Sequence, residues 1–127
     1  MPISRMVQPP SVFDAHSPAR QVAERLADRW TAMVVCVLAT GPAHYGELRR
    51  RIGGISGKML TQTLRGMKRD GLVVRTARAT RPPRVEYALT PLGETLVGPL
   101  SGILAWAEAH FSEVDEARAS FDRGFSS

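Results

Sequence analysis

The chain has little of several things, and each shortage excludes something. Cys36 is the one cysteine in 127 residues. Without a second thiol no internal disulfide can close, which suits a reducing compartment. Nowhere is there an unbroken apolar run of about 18 residues, the length a membrane-crossing helix needs. The opening MPISRMVQPP lacks the apolar core of a secretory signal. The expected location is therefore the cytoplasm, with no membrane contact. His16, His44 and His110 are far apart and have no Cys/His company, so neither a metal nor another cofactor is expected. No nucleophile motif frames a serine, so no catalytic residue is expected and the chain does not read as an enzyme. Cys36, between Val35 and Val37 with no cation near it in sequence, reads as an inert, buried thiol.

Acidic residues are scarce in one region only. Between positions 44 and 84 eleven Lys/Arg face Glu47 and Asp70, a net charge of +9. Residues 1–43 carry +1 and residues 85–127 carry −5. A one-sign concentration of this size repels itself unless a polyanion meets it, and nucleic acid is the expected partner.

Within that region lies GGISGKMLTQTLRGMKRDG, residues 53–71. Glycines ahead of a lysine raise the question of a phosphate-cradling nucleotide loop. That motif requires a glycine five positions before Gly57 and a hydroxyl after Lys58. Those positions hold Ile52 and Met59, so the nucleotide loop is excluded. The glycines read instead as a turn between two helices.

The rest of the chain supports that reading. Residues 1–16 form a polar, proline-containing arm, expected to be flexible. Ser17-Pro18 is a helix start, and Val22, Leu26 and Trp30 then recur at helical spacing. Asp28 can cap a second helix from about Arg29 to Thr40, apolar nearly all round and so central and buried. Gly41-Pro42 stops it. A short helix spans roughly His44 to Ile52, with Leu48 and Ile52 inward and Arg49, Arg50 and Arg51 outside. Ser56 can cap the next helix, which ends at Asp70 before Gly71. LVVRTAR (72–78) and RVEYALT (84–90) make a hairpin around the turn ATRPP. Thr90-Pro91 starts a last helix to about 110, which Pro99 should kink. Residues 111–127 read as a polar tail. Helix, helix, helix-turn-helix, hairpin, helix is a mainly α fold with a small β hairpin: a winged helix-turn-helix with N- and C-terminal dimerisation helices. The domain is expected over 17–110.

On a helical wheel of 56–70, Leu60, Leu64 and Met67 fall on one side. Lys58, Gln62, Arg65 and Arg69 fall on the other, with Thr61 on the flank and Ser56 at the start. Gln pairs with adenine and Arg with guanine in the major groove, and Lys meets phosphate. Arg49 and Arg50 on the preceding helix, with Arg69, are expected to meet backbone phosphates, and Arg81 and Arg84 at the wing to reach the flanking groove or its backbone. The candidate dimer surface joins Val22 and Leu26 of the first helix to Leu96, Leu100, Ile103, Leu104 and Trp106 of the last. A two-fold dimer would present two reading helices to a pseudo-palindromic operator. Gly66 stands out, because a glycine inside a helix costs about 1 kcal/mol against alanine. Close packing is expected there.

The strings DRW (28–30), YGELRRRI (45–52), GGISGKMLTQTLRGMKRDGLVVRT (53–76) and PPRVEYALTPLG (82–93), with Trp106 in the last helix, resemble the HxlR-type family of bacterial transcription regulators. The resemblance covers about residues 17–110. It implies a dimeric winged-helix DNA-binding protein with dimer contacts from the first and last helices. It further implies 56–69 as recognition helix and 79–84 as wing. Relatives that sense oxidants carry a cysteine just before the proline that opens the first helix, and here that position is Ser17. Other relatives answer to small molecules. The reading is thus a homodimeric, sequence-specific regulator. Its rivals are a ligand- or redox-responsive sensor, with a pocket for a small-molecule effector at the dimer interface and DNA release as output, and a protein-interaction module that lost DNA binding.

Overall fold

The computed structural model describes residues 10–126. Residues 1–9 of the expected arm lie outside that range, and Pro10–Phe13 forms a short 3-10 turn. Helix α1 (Pro18–Leu26) begins with the Ser17 hydroxyl accepting from the Arg20 N–H at 3.3 Å. Asp28 caps α2 (Arg29–Leu38) in the same way through Thr31 N–H, also at 3.3 Å. Each cap satisfies one of the amides that a helix start leaves without a partner. As the all-round apolar pattern predicts, α2 is the centre of the domain. Ala32, Val34, Val35 and Leu38 are buried, and Met33, Cys36 and Val37 are half-buried against the same core.

A two-residue strand, β1 (Ala43–His44), leads into α3 (Tyr45–Arg51). Here His44 serves as the cap, its Nδ1 accepting from the Glu47 N–H at 3.2 Å. The turn after α3 passes through Gly54 at φ +84°, a left-handed conformation that glycine adopts freely. Ser56 then caps α4 (Gly57–Arg69), accepting from the Met59 N–H at 3.0 Å. At the other end Gly71 has φ +78°, Leu72 N–H bonds Met67 C=O at 2.9 Å and Gly71 N–H bonds Lys68 C=O at 3.1 Å. This Schellman closure uses carbonyls that would otherwise be orphaned. Leu48, Leu60 and Met67 are fully buried with Val34 and Val35. Each such side chain contributes on the order of 1.5–3 kcal/mol.

Two contacts fix α4 relative to its neighbours. At its start, the Tyr45 hydroxyl donates to Gly57 C=O at 2.8 Å and meets Thr61 Oγ1 at 3.1 Å. At its end, Asp70 pairs with Arg25 of α1. Arg25 reaches Asp70 across Gly66, and a Cβ there would collide with its guanidinium. That is the close packing expected of Gly66.

Strands β2 (Val73–Arg78) and β3 (Arg84–Leu89) pair antiparallel, Val73 opposite Leu89 and Arg78 opposite Arg84. β1 adds to the free edge of β3, so the hairpin is a three-stranded sheet in the order β1-β3-β2. Two residues are too few to carry an alternation pattern, and β1 has no separate signal in the sequence. As the middle strand, β3 is half-buried from Val85 through Leu89.

The last helix differs from expectation in two ways. It is split into α5 (Pro91–Glu94) and α6 (Val97–Ser126), and the break falls at Thr95–Leu96, not at a kink around Pro99. Pro99 is the third residue of α6, where a helix has no use for the missing N–H, so it starts the helix and does not bend it. The helix also runs through the residues read as a polar tail. Phe111, Val114 and Phe121 continue the three-and-four spacing of Leu100, Leu104 and Ala107, so the helical period does not stop at 110.

Thr90 joins hairpin to helix. Its N–H bonds Leu72 C=O at 3.0 Å, and its hydroxyl donates to Gly71 C=O at 2.5 Å while accepting from Gly93 N–H at 3.1 Å. Gly93 is buried with the Leu72 carbonyl where a Cβ would stand. Gly93→Ala would drive a methyl into that backbone group, which cannot swing aside. The expected loss is about 1–3 kcal/mol, seen as a lower melting temperature. Tyr45→Phe keeps the ring but removes both hydrogen bonds. A loss of about 1 kcal/mol is expected in urea unfolding, and an unchanged midpoint would mean that the hydroxyl holds nothing.

Candidate nucleic-acid interface

All ten candidate DNA-contacting residues lie on the surface. Arg49, Arg50, Ser56, Lys58, Thr61, Gln62, Arg65, Arg69, Arg81 and Arg84 are each exposed. Arg20–Glu24, Arg25–Asp70 and Arg78–Glu86 form ion pairs, and none of the candidate cations takes part in them. The basic charge of the middle region therefore stays largely uncompensated, as its composition predicts.

The three consecutive arginines of α3 divide their tasks. Arg51 turns back to Thr40, its Nη1 donating to Oγ1 at 3.3 Å. Arg49 turns towards α4: a Cβ on Gly57 would stand 3.4 Å from its Nη1 and 3.3 Å from the Tyr45 hydroxyl. Arg49 and Arg50 together with Gly46 line one open groove on α3. Arg49 is thus brought to Gly57 at the start of α4. Ser56 and Thr61 already have local partners. Ser56 holds the cap, and Thr61 meets Tyr45.

Farther along α4 a cleft of about 180 Å³ opens against the sheet, lined by Thr61, Leu64, Arg65, Lys68, Arg75 and Tyr87. Three cations border it and no acid does. Arg75 and Tyr87 are cross-strand partners and so share one face of the sheet. Lys68, Arg75 and Tyr87 are absent from the sequence-based candidates. Lys68 was legible, because the wheel puts it on the flank beside Thr61. Arg75 was not, since only the strand register brings it over α4. Arg69 is separated from this group. It lines a hollow with Gln21, Arg25 and Asp70 beside α1. At the wing, Thr80 Oγ1 donates to Pro82 C=O at 2.7 Å, and Arg78 is tied to Glu86 at 2.9 Å, whereas Arg81 and Arg84 have no ion pair among the described residues.

The candidate dimer residues divide by burial. Val22, Ile103 and Trp106 are 49%, 61% and 57% exposed. Leu26, Leu96 and Leu104 are half-buried. Leu100, at 4%, belongs to the core and has almost no surface to offer. Trp106 stacks on His110, ring centroids 4.6 Å apart, so it fills neither the core nor the basic face. Cys36 is half-buried, its Sγ 3.5 Å from Ser101 Oγ. Among the described residues no helix is long and apolar enough to cross a membrane, and no group of three His, Cys, Asp or Glu could hold a metal ion.

Comparison with known proteins agrees with this geometry. Residues 25–115 match the family described as HxlR-like helix-turn-helix. The chain is 36% identical over 112 residues to YtfH of Escherichia coli, an uncharacterized HTH-type transcriptional regulator, covering 88% of this chain and 89% of that one. Among solved structures it is similar to ytfH from Salmonella typhimurium, itself a candidate transcriptional regulator. The TM-score is 0.78 at 34% identity, over 84% of this chain and 96% of that one. The redox regulator HypR in its oxidized form is also similar, with a TM-score of 0.67 at 30% identity, over 72% of this chain and 95% of that one. The relatives are transcriptional regulators, not enzymes, and the arrangement of α3, α4 and the β2–β3 wing is theirs. The chain belongs to the HxlR-like helix-turn-helix family of transcriptional regulators.

Proposed function

We propose that the protein acts as a homodimer in the cytoplasm and reads a pseudo-palindromic operator, with α4 in the major groove of each half-site. The observation that carries this reading is the outer face of α4. Lys58, Gln62 and Arg65 are exposed and free of acidic neighbours, while the inner face is locked into the core. Gln62 and Arg65 read base edges, with Thr61 at their side. Lys58, Arg49 and Arg50 hold the phosphates flanking the start of α4, and Arg81 and Arg84 hold those under the wing. Arg69 stands at the edge of this surface. The cleft bordered by Arg65, Lys68 and Arg75 receives one further phosphate, since converging cations without an acid favour an anion there.

Self-association rests on the exposed apolar residues Val22, Ile103 and Trp106, with Leu26, Leu96 and Leu104 around them. The exposed Phe111 extends the same apolar surface along α6. A two-fold dimer sets its two reading helices about 34 Å apart, one turn of DNA.

Arg65→Ala is expected to relax preference at one base position and to weaken operator binding by about 1–3 kcal/mol. Arg81→Ala and Arg75→Ala should weaken binding to all sequences alike, each lowering the salt-dependence slope by about 1. Titrations of operator and scrambled DNA at several salt concentrations separate the two behaviours. Binding that ignores salt, or an Arg65→Ala protein with intact preference, would sink the assignment. For the dimer, Ile103→Asp with Trp106→Glu should give a folded monomer in sedimentation, with operator affinity lowered at least about tenfold.

A further inference from the structure

Three oxygens meet where α3 touches the first turns of α4. The Tyr45 hydroxyl lies 2.8 Å from Gly57 C=O and 3.1 Å from Thr61 Oγ1. A carbonyl only accepts, so the single hydroxyl hydrogen of Tyr45 goes to Gly57. Tyr45 then has only lone pairs to offer Thr61. The bond between the two hydroxyls therefore runs from Thr61 to Tyr45. Arg49 also comes close to Gly57, but a guanidinium has only donors and cannot reverse this order. Tyr45 is half-buried, so its ring is held in place, whereas Thr61 is exposed on the flank of the outer face of α4. A threonine in a helix has two available rotamers, and the bond to Tyr45 selects one.

We propose that Tyr45 is a positioning residue for sequence reading, and that through it Thr61 selects a base carrying an amino group. With its hydrogen turned inward to Tyr45, the Thr61 hydroxyl shows the groove lone pairs only. In the major groove adenine N6 and cytosine N4 are donors, whereas guanine O6 and thymine O4 are acceptors. An acceptor-only hydroxyl bonds the first two and sets lone pair against lone pair with the others. A threonine without such a partner turns its hydrogen to suit either kind of base and selects neither. The Tyr45 hydroxyl thus converts a permissive residue into a discriminating one. It adds a third read position to those of Gln62 and Arg65. The order of the hydrogens follows from the contacts of Tyr45, whereas its effect on DNA rests on the reading of α4 given above.

Selection of bound sites from random DNA, with the full chain and its variants, tests the proposal. In the parent, one position of each half-site should favour adenine or cytosine over guanine or thymine by about fivefold, the effect of one neutral hydrogen bond. Tyr45→Phe keeps the ring and frees the Thr61 hydrogen. The preference at that position should then fall to within about twofold, while every other position keeps its own. Thr61→Val, equal in shape but without the hydroxyl, should erase the same preference, and adding Tyr45→Phe to it should change no preference further. Thr61→Ser should retain it. A Tyr45 that only supports the fold would, on change to Phe, weaken all sequences alike and leave each base preference intact, and that result would overturn the proposal. A guanine or thymine preference at the position that answers to Thr61→Val would overturn it too. Arg65→Ala is the control. If it shifts preference at its own position while Tyr45→Phe and Thr61→Val shift none, α4 reads DNA and the role of Tyr45 is refuted. If no change on α4 shifts any preference, the reading of α4 itself fails, and this proposal with it.

Discussion

The burial of one face of α4 is the constraint on which the rest depends. Leu60, Leu64 and Met67 can leave water only by packing into the core with α2, α3 and the start of β2, and once they do, the orientation of every other side chain on α4 is fixed. Lys58, Gln62 and Arg65 face outward because the helix has no other way to satisfy its apolar residues. The two ends then remove the remaining freedom. Tyr45 holds the first turn through Gly57 and Thr61, and the Schellman closure with the Arg25–Asp70 pair holds the last. Recognition of a rigid groove needs such a helix, because each degree of freedom lost on binding is paid in affinity.

Charge is organised by the same architecture. Within the domain, Asp70 and Glu86 are occupied by Arg25 and Arg78. Most of the remaining acids of the second half, including Glu108, Glu113, Asp115 and Glu116, lie on α6. That helix packs on α2 through its first turns, and from Ala105 onward its described residues are exposed apart from His110 and Val114. A 30-residue helix is about 45 Å long, so the acids are held on a rigid arm and cannot fold back over α4. The −5 of the C-terminal region and the +9 of the middle coexist without cancelling.

Much of this was legible in the sequence, and the part that was not has a common cause. Ser17, Asp28, Ser56 and Thr90 each cap the helix their position announces, because capping is a local matter of one hydroxyl or carboxylate and an amide three residues on. The wheel of α4 was equally local, and its inner and outer faces fall where it puts them. What escaped was decided between segments. β1 exists because β3 has an edge to offer it. Arg75 reaches the cleft through its register opposite Tyr87. Leu100 looks like a surface residue on an amphipathic helix until α2 is laid against it. The extent of α6 is a different failure. Its polar residues suggested a tail, yet the spacing of Phe111, Val114 and Phe121 was a better guide than their company.

Gly66 joins local and non-local reasoning. Alanine there would gain about 1 kcal/mol of helix propensity. Its Cβ would also displace Arg25 from the path to Asp70. That pair, with side chains 34% and 26% exposed, is worth no more than about 1 kcal/mol, since water screens it. The two terms nearly cancel, so stability alone does not account for the glycine. What the glycine does supply is the close passage of a cation from α1 across α4 to its cap, a path that a methyl would narrow by pushing the guanidinium aside.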